Sequence, residues 1–190
     1  LNKAAYIPVT LLATWGLTTM YKSLHLAASL LFVFSPLHVM ADQPTTIGWI
    51  EHVAVQPHNL TIKAKIDTGA DNSSIHAKDI QIYEKAGGKW VRFLVENDSG
   101  ETAQFDLQLL RIANIKRKGA EPQKRPVVNM DLCIGNTLKA VDINLANREN
   151  FKYRMLIGRS YLKDQYLVDS GRKYTAEPAC VGLNLAQDES

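Results

Sequence analysis

Three observations predict an all-β fold for this 190-residue chain. Apolar and polar residues alternate with a period of two through much of the sequence after residue 46. The alternating runs are short and are punctuated by Gly, Asn, Asp and Pro. A helix is expected only after Gly158.

Taken in order, residues 42–46 read as a tether, and residues 47–55 open the fold as a strand with alternating apolar positions. Gln56-Pro57-His58-Asn59 makes a turn. Leu60, Ile62, Ala64 and Ile66 then alternate with Thr61, Lys63 and Lys65, which gives a strand with one apolar face. Residues 80–83 and 90–95 flank Glu84-Lys85-Ala86-Gly87-Gly88-Lys89, a hairpin by composition. Asn97-Asp98-Ser99-Gly100 turns the chain into a strand over 102–112. Further strands are expected over 127–134, 138–145 and 153–157. Trp49, Trp90 and Tyr161 are expected in the core.

With 46% hydrophobic and 22% charged residues, the composition describes one globular domain, assigned to 47–190, preceded by an N-terminal leader over 1–41. In that leader Met20-Tyr21-Lys22 is followed by an apolar run over 24–37 and by Val39-Met40-Ala41. This is the pattern of a secretory signal, with cleavage expected after Ala41 and translation expected to start at Met20. The run is short beside the roughly twenty apolar residues of a membrane span, so a periplasmic or secreted domain is expected, with an uncleaved membrane anchor as the alternative.

Lys3 and Lys22 are the leader's only charged residues, so removing it takes the 22 basic residues to 20 against 19 acidic ones. That near-neutral balance, without a zinc-finger or helix-turn-helix pattern, gives no sign of nucleic-acid binding. Cys133 and Cys180 either pair, as cysteines in an oxidising compartment commonly do, or stay as buried thiols. A bond between them closes a loop worth roughly 3–4 kcal/mol on the chain-entropy estimate.

The chemistry is concentrated in Ile66-Asp67-Thr68-Gly69-Ala70-Asp71 and, about ninety residues later, Met155-Leu156-Ile157-Gly158-Arg159-Ser160-Tyr161-Leu162. An apolar lead into Asp-Thr-Gly-Ala describes a strand entering a tight turn that presents the Asp67 carboxylate, and a glycine there permits close backbone approach. The two motifs resemble a retropepsin-like aspartic peptidase. With Lys63-Ala64-Lys65, Ser74-Ile75-His76-Ala77, Arg125-Pro126-Val127-Val128 and Asn147-Arg148, the chain is similar over 47–185 to the bacterial family labelled "putative ATP-dependent zinc protease".

The resemblance implies a closed barrel with a flap hairpin, and a peptidase whose catalytic residue is Asp67. Thr68, Gly69 and Ala70 would form the active-site turn, while Gly69, Asp71 and Leu156 would contact substrate. Gly158 and Arg159 would support the turn from behind, with Arg159 bonding Asp71. Asn72, Ser73 and Ser74 read equally as plain turn and strand residues. His76 is exposed, buried and satisfied, or a modifier of the catalytic carboxylates. The mechanism needs two carboxylates sharing one proton, yet Asp-Thr-Gly occurs once. The second Asp67 is therefore expected from a partner in a homodimer, with Thr68 at the interface.

No cofactor is implied. Neither ATP nor zinc follows from the family label. A Gly-x-x-x-x-Gly-Lys-Ser/Thr loop is missing, and the five histidines contain no His-Glu-x-x-His pair. A zinc-dependent peptidase built on His52, His58, His76 and a carboxylate is the least favoured alternative. A retropepsin-fold module that binds peptide without cleaving it stands between the two. The expected flap is 112–128 with Lys118-Gly119-Ala120 at the tip, and 83–90 is its runner-up. Around the first, Arg111, Lys116, Arg117, Lys118, Lys124 and Arg125 face one acid, Glu121. The cluster is either a solvated face or an attraction for an anionic peptide or protein substrate.

Overall fold

The computed structural model describes residues 43–117 and 119–180. The strands in chain order begin with β1 (Thr45–Gly48), β2 (Ile50–Val55), β3 (Leu60–Ile66) and β4 (Ser73–His76). They continue with β5 (Lys78–Lys85), β6 (Gly88–Glu96), β7 (Thr102–Gln108), β8 (Arg111–Arg117) and β9 (Ala120–Ile134). After β10 (Thr137–Ala146) and β11 (Met155–Ile157) come the one-turn helix α1 (Arg159–Leu162) and β12 (Tyr166–Asp169). Among the described residues no helix is long and apolar enough to cross a membrane.

Six strands form a closed circuit. β2 pairs antiparallel with β3, β3 parallel with β11, and β11 antiparallel with β4. β4 then pairs parallel with β10, β10 antiparallel with β9, and β9 antiparallel with β2, which closes the barrel. A closed ladder leaves no edge within the ring. The period-two reading of β3 holds: Leu60, Ile62, Ala64 and Ile66 are buried while the residues between them are not. These side chains meet Ile75, Val128, Leu132, Ile143, Met155 and Ile157 in one core. A second, three-stranded sheet in the order β5-β6-β7 adds Val91, Phe93, Val95 and Phe105, the two phenylalanine rings stacking at 5.4 Å.

Several elements differ from the sequence expectation, each for a physical reason. The strand expected over 47–55 is split at Trp49, whose N–H donates to the Arg172 carbonyl at 3.0 Å. There the chain is crossed so closely that a Cβ on Gly48 would lie 2.5 Å from the Arg172 oxygen. The strand expected over 102–112 is two strands. Leu109 N–H bonds Lys89 O in the three-stranded sheet, and Leu110 N–H bonds Val127 O in the barrel, so the chain changes sheets between them. β9 runs on from the expected flap into the expected strand 127–134, pairing first with β8 and then with β10 and β2. β12 was not anticipated; it pairs in parallel with β1, which starts at Thr45 inside the expected tether.

Tyr161 is fully buried, whereas Trp49 and Trp90 are only half-buried. Their rings lie under lysines: Lys173 Nζ is 5.0 Å from the Trp49 centroid and Lys85 Nζ is 4.2 Å from that of Trp90. Cys133 and Cys180 form a disulfide with Cα atoms 6.1 Å apart, fastening the segment after β12 to the end of β9. The expected leader over 1–41, and Lys118 at the expected flap tip, lie outside the described residues.

Candidate active site

The turn after β3 is pinned from both ends by backbone. Asp67 N–H donates to Ile157 O at 2.8 Å, and Ala70 N–H to Asp67 O at 3.2 Å. The β11-to-α1 junction answers: Arg159 N–H donates to Ala70 O at 2.9 Å and Ser160 N–H to Asp71 O at 3.0 Å. Gly158, immediately before them, donates from its N–H to Ser73 Oγ at 3.1 Å. It must be glycine here, because a Cβ would lie 2.7 Å from the Asn72 carbonyl carbon and 2.8 Å from the Asp71 oxygen. The two sequence motifs are thus one interlocked structure.

At the tip, the Asp67 carboxylate is partly exposed and its oxygens are distinguished. Gly69 N–H donates to Oδ1 at 3.0 Å, while Lys65 Nζ lies 3.7 Å from Oδ2. Thr68 and Gly69 are exposed at the apex and Ala70 is half-buried. The Arg159 guanidinium donates from Nη1 to the carbonyls of Thr68 and Gly69, both at 2.9 Å, and from Nη2 to Asp71 Oδ1 at 3.4 Å. Arg159 therefore grips the turn chiefly by its backbone, with the exposed Asp71 carboxylate as a weaker partner.

Leu156 is half-buried and sits in register between Lys65 on β3 and Ser74 on β4, so the three side chains share one face. Ser74 is no plain strand residue, since its Oγ accepts from Arg148 Nη1 at 3.0 Å. Arg148 is 9% exposed; its Nε donates to Tyr153 O at 3.2 Å and it lies over the Phe151 ring. Burial, and then the neighbouring Arg125 charge, lower its pKa from the ordinary guanidinium value, while Asp67 opposes that shift. Arg148, Arg125 and Asp67 are therefore electrostatic neighbours, and the guanidinium stays charged at physiological pH. The roles of Lys65, Ser73 and Arg148 were not foreseen; the only sequence signal was that each falls within or beside a family-pattern stretch.

The three histidines considered for zinc make separate contacts. His52 Nδ1 meets Glu177, His58 Nε2 meets Gln104 O, and His76 Nδ1 accepts from Arg148 N–H. Beside the turn, Thr68, Asp71, Arg159, Leu162, Tyr166 and Leu167 line an open groove of about 520 Å³. The residues at the expected flap form a hairpin, with Arg117 opposite Ala120 across its end. Of its basic residues, Arg111 is paired with Asp142 at 2.5 Å, and Arg125 donates to Gln123 at 2.8 and 3.0 Å.

A closed barrel carrying Asp-Thr-Gly on one strand end, locked by Gly-Arg from another, defines a retropepsin-like fold. Residues 46–179 match the RimB-like family model, described as "Retropepsin-like aspartic endopeptidase RimB", and the chain belongs to that family. It is 32% identical over 139 residues to a "Probable alpha-L-glutamate ligase" of Shewanella pealeana, covering 71% of this chain and 30% of that protein. A relative with the same name from Desulfotalea psychrophila is 31% identical over 111 residues, or 57% of this chain and 24% of its own length. The chain thus spans under a third of the length of these relatives. Among solved structures it is similar to Lpg0085 of Legionella pneumophila, a DUF785 protein with unknown function. That match has a TM-score of 0.62 and 31% identity, and covers 70% of this chain and 98% of that one.

Proposed function

We propose that this protein is an aspartic endopeptidase whose active site forms between two copies of the chain, each contributing Asp67. The observation that carries the reading is the Asp67 turn itself, interlocked with Gly158 and Arg159 in a member of a retropepsin-like family. In the proposed reaction one carboxylate takes a proton from water as its oxygen attacks the scissile carbonyl carbon. The protonated partner gives its proton to the carbonyl oxygen. The dyad's proton then passes to the amide nitrogen as the C–N bond breaks, and a carboxylate takes the proton of one gem-diol hydroxyl as the new carbonyl forms, so the dyad again holds one shared proton. Gly69 N–H holds Oδ1 in position for this work, and Lys65 must yield Oδ2 to the partner's side of the dyad.

Two further features support a more specific reading. Lys116 and Lys124 are exposed on the β8–β9 hairpin, and the relatives' names refer to glutamate chemistry. An acidic peptide is the substrate class these favour, with the hairpin as flap. The ligase name belongs to proteins more than three times the aligned length, and this chain's sequence has no phosphate-cradling loop to support ATP use. The Cys133–Cys180 disulfide supports export to an oxidising compartment.

The engagement of Asp67 by Lys65 within one chain favours a second reading, a module that binds peptide without cleaving it. Cleavage of an unfolded acidic peptide, blocked by a hydroxyl-bearing transition-state mimic and abolished in Asp67→Asn, separates the two. A folded Asp67→Asn protein that still cleaves sinks the peptidase mechanism.

A further inference from the structure

His76 lies on β4, 3% exposed, and its ring is used as an acceptor: Arg148 N–H donates to Nδ1 at 2.9 Å. An imidazole nitrogen accepts only when it carries no proton, so neutral His76 keeps its single proton on Nε2. Among the described residues Nε2 has no hydrogen-bond partner. A second proton would turn the Nδ1 acceptor into a donor aimed at another donor.

The surroundings resist that proton. Burial is the largest influence, followed by the charges of Arg154 and Lys78; the Ala146 carbonyl and the Glu149 carboxylate act the other way and are outweighed. Glu96 partly offsets the two cations, lying 2.6 Å from Lys78 Nζ and 3.2 Å from Arg154 Nη1. The Arg148 guanidinium, on the segment that His76 holds, donates to Ser74 Oγ.

That segment, residues 147–154, closes against β4 at three points. Arg148 N–H bonds His76, Arg148 Nη1 bonds Ser74 Oγ, and His76 N–H donates to Arg154 O at 2.7 Å. It runs directly into β11, where Leu156 flanks the site and Ile157 O holds Asp67 N–H. We propose that His76 is a pH-gated latch: its neutral ring closes the 147–154 segment onto β4, and protonation releases that segment and loosens β11 beneath Asp67.

The direction follows from linkage. The pKa is lowered from 6.5, so at pH values just below 6.5 the folded chain binds fewer protons than the unfolded one. The latch's stability is complete above 6.5 and is lost as pH falls through the folded value. Its effect on cleavage rests on the peptidase reading, since an Asp dyad needs one proton while the latch must stay unprotonated. The latch itself does not depend on that reading.

The test is NMR on the full chain labelled with 15N, from pH 7.5 to 4.5. His76 is expected as the Nε2–H tautomer at pH 7.5, with a midpoint below 6.5. Hydrogen-exchange protection of the Arg148 amide should fall by up to about tenfold per pH unit between 6.5 and that midpoint and level off below it, once intrinsic exchange is corrected. His76→Asn supplies an acceptor that does not titrate, and should make this protection independent of pH. A protonated or Nδ1–H ring at pH 7.5, which needs no variant to detect, overturns the latch. So does a folded His76→Asn protein that loses protection over the same pH window as the wild type. If the latch passes and no cleavage is found at any pH, the peptidase reading alone has failed.

Discussion

At the scale of single residues, the site depends on backbone approach as much as on charge. Gly158 has ordinary extended dihedrals, φ −95° and ψ 176°, so alanine there is not strained by its own backbone. Its methyl would instead meet the backbone of Asn72 and Asp71, at 2.7 and 2.8 Å, which no rotamer change relieves. Gly158→Ala is therefore expected to cost about 1–3 kcal/mol, seen as a lower urea midpoint with an unchanged slope, and to reduce cleavage. Gly69 differs: a Cβ there would meet only the Asp67 carboxylate, at 3.2 Å. Wild-type stability in Gly158→Ala would mean that the two motifs are not locked as described. The pairing of Arg159 with Asp71 was expected from the family resemblance. Its stronger grip on the Thr68 and Gly69 carbonyls was not, because a sequence pattern names side chains while the partners here are peptide oxygens.

At the scale of elements, the sequence reveals strands that carry one apolar face and conceals those held by other means. β3 was legible because four buried residues alternate with exposed or half-buried ones. β12 was not, since Tyr166–Asp169 is short and its Leu167 points to solvent at 58% exposure. Glu51 shows the same limit. It stands in an apolar strand where an acid is expected to face water, yet it is fully buried. Its carboxylate accepts from Gly48 N–H at 2.6 Å, Thr175 N–H at 2.9 Å, Thr175 Oγ at 2.7 Å and Ala176 N–H at 3.1 Å. Apart from Gly48, these donors come from a segment 124 and 125 residues away, which no local pattern announces. Glu51→Gln puts an amide donor where only acceptors satisfy the site, and should destabilise the chain by about 1–3 kcal/mol. Hydrogen exchange should rise first at Thr175 and Ala176; uniform exchange with unchanged stability would show that Glu51 does not anchor this segment.

At the scale of the whole molecule, the proposed dyad would draw one Asp67 from each of two copies of the chain. β1 and β12 form a two-stranded sheet, and among the described residues β12 has no neighbour on its other edge. An open edge carrying an exposed leucine invites pairing with another strand. The groove next to it is lined by Thr68, Asp71 and Arg159, so a second copy docked there would approach the Asp67 turn. In the proposed homodimer a two-fold axis through this face would make the contact self-complementary and bring the two Asp67 carboxylates together. Thr68→Ala should then weaken the dimer and lower activity in step, with higher protein concentration restoring part of both. Leu167→Lys places a charge on the same face. The residue is mostly exposed, so folding should change by no more than about 0.5 kcal/mol while association and cleavage fall. Sedimentation across a concentration series, run beside the peptide assay, reads both effects. Full cleavage by a protein that stays monomeric at every concentration would require a second catalytic group within one chain, and the shared dyad would have to be abandoned.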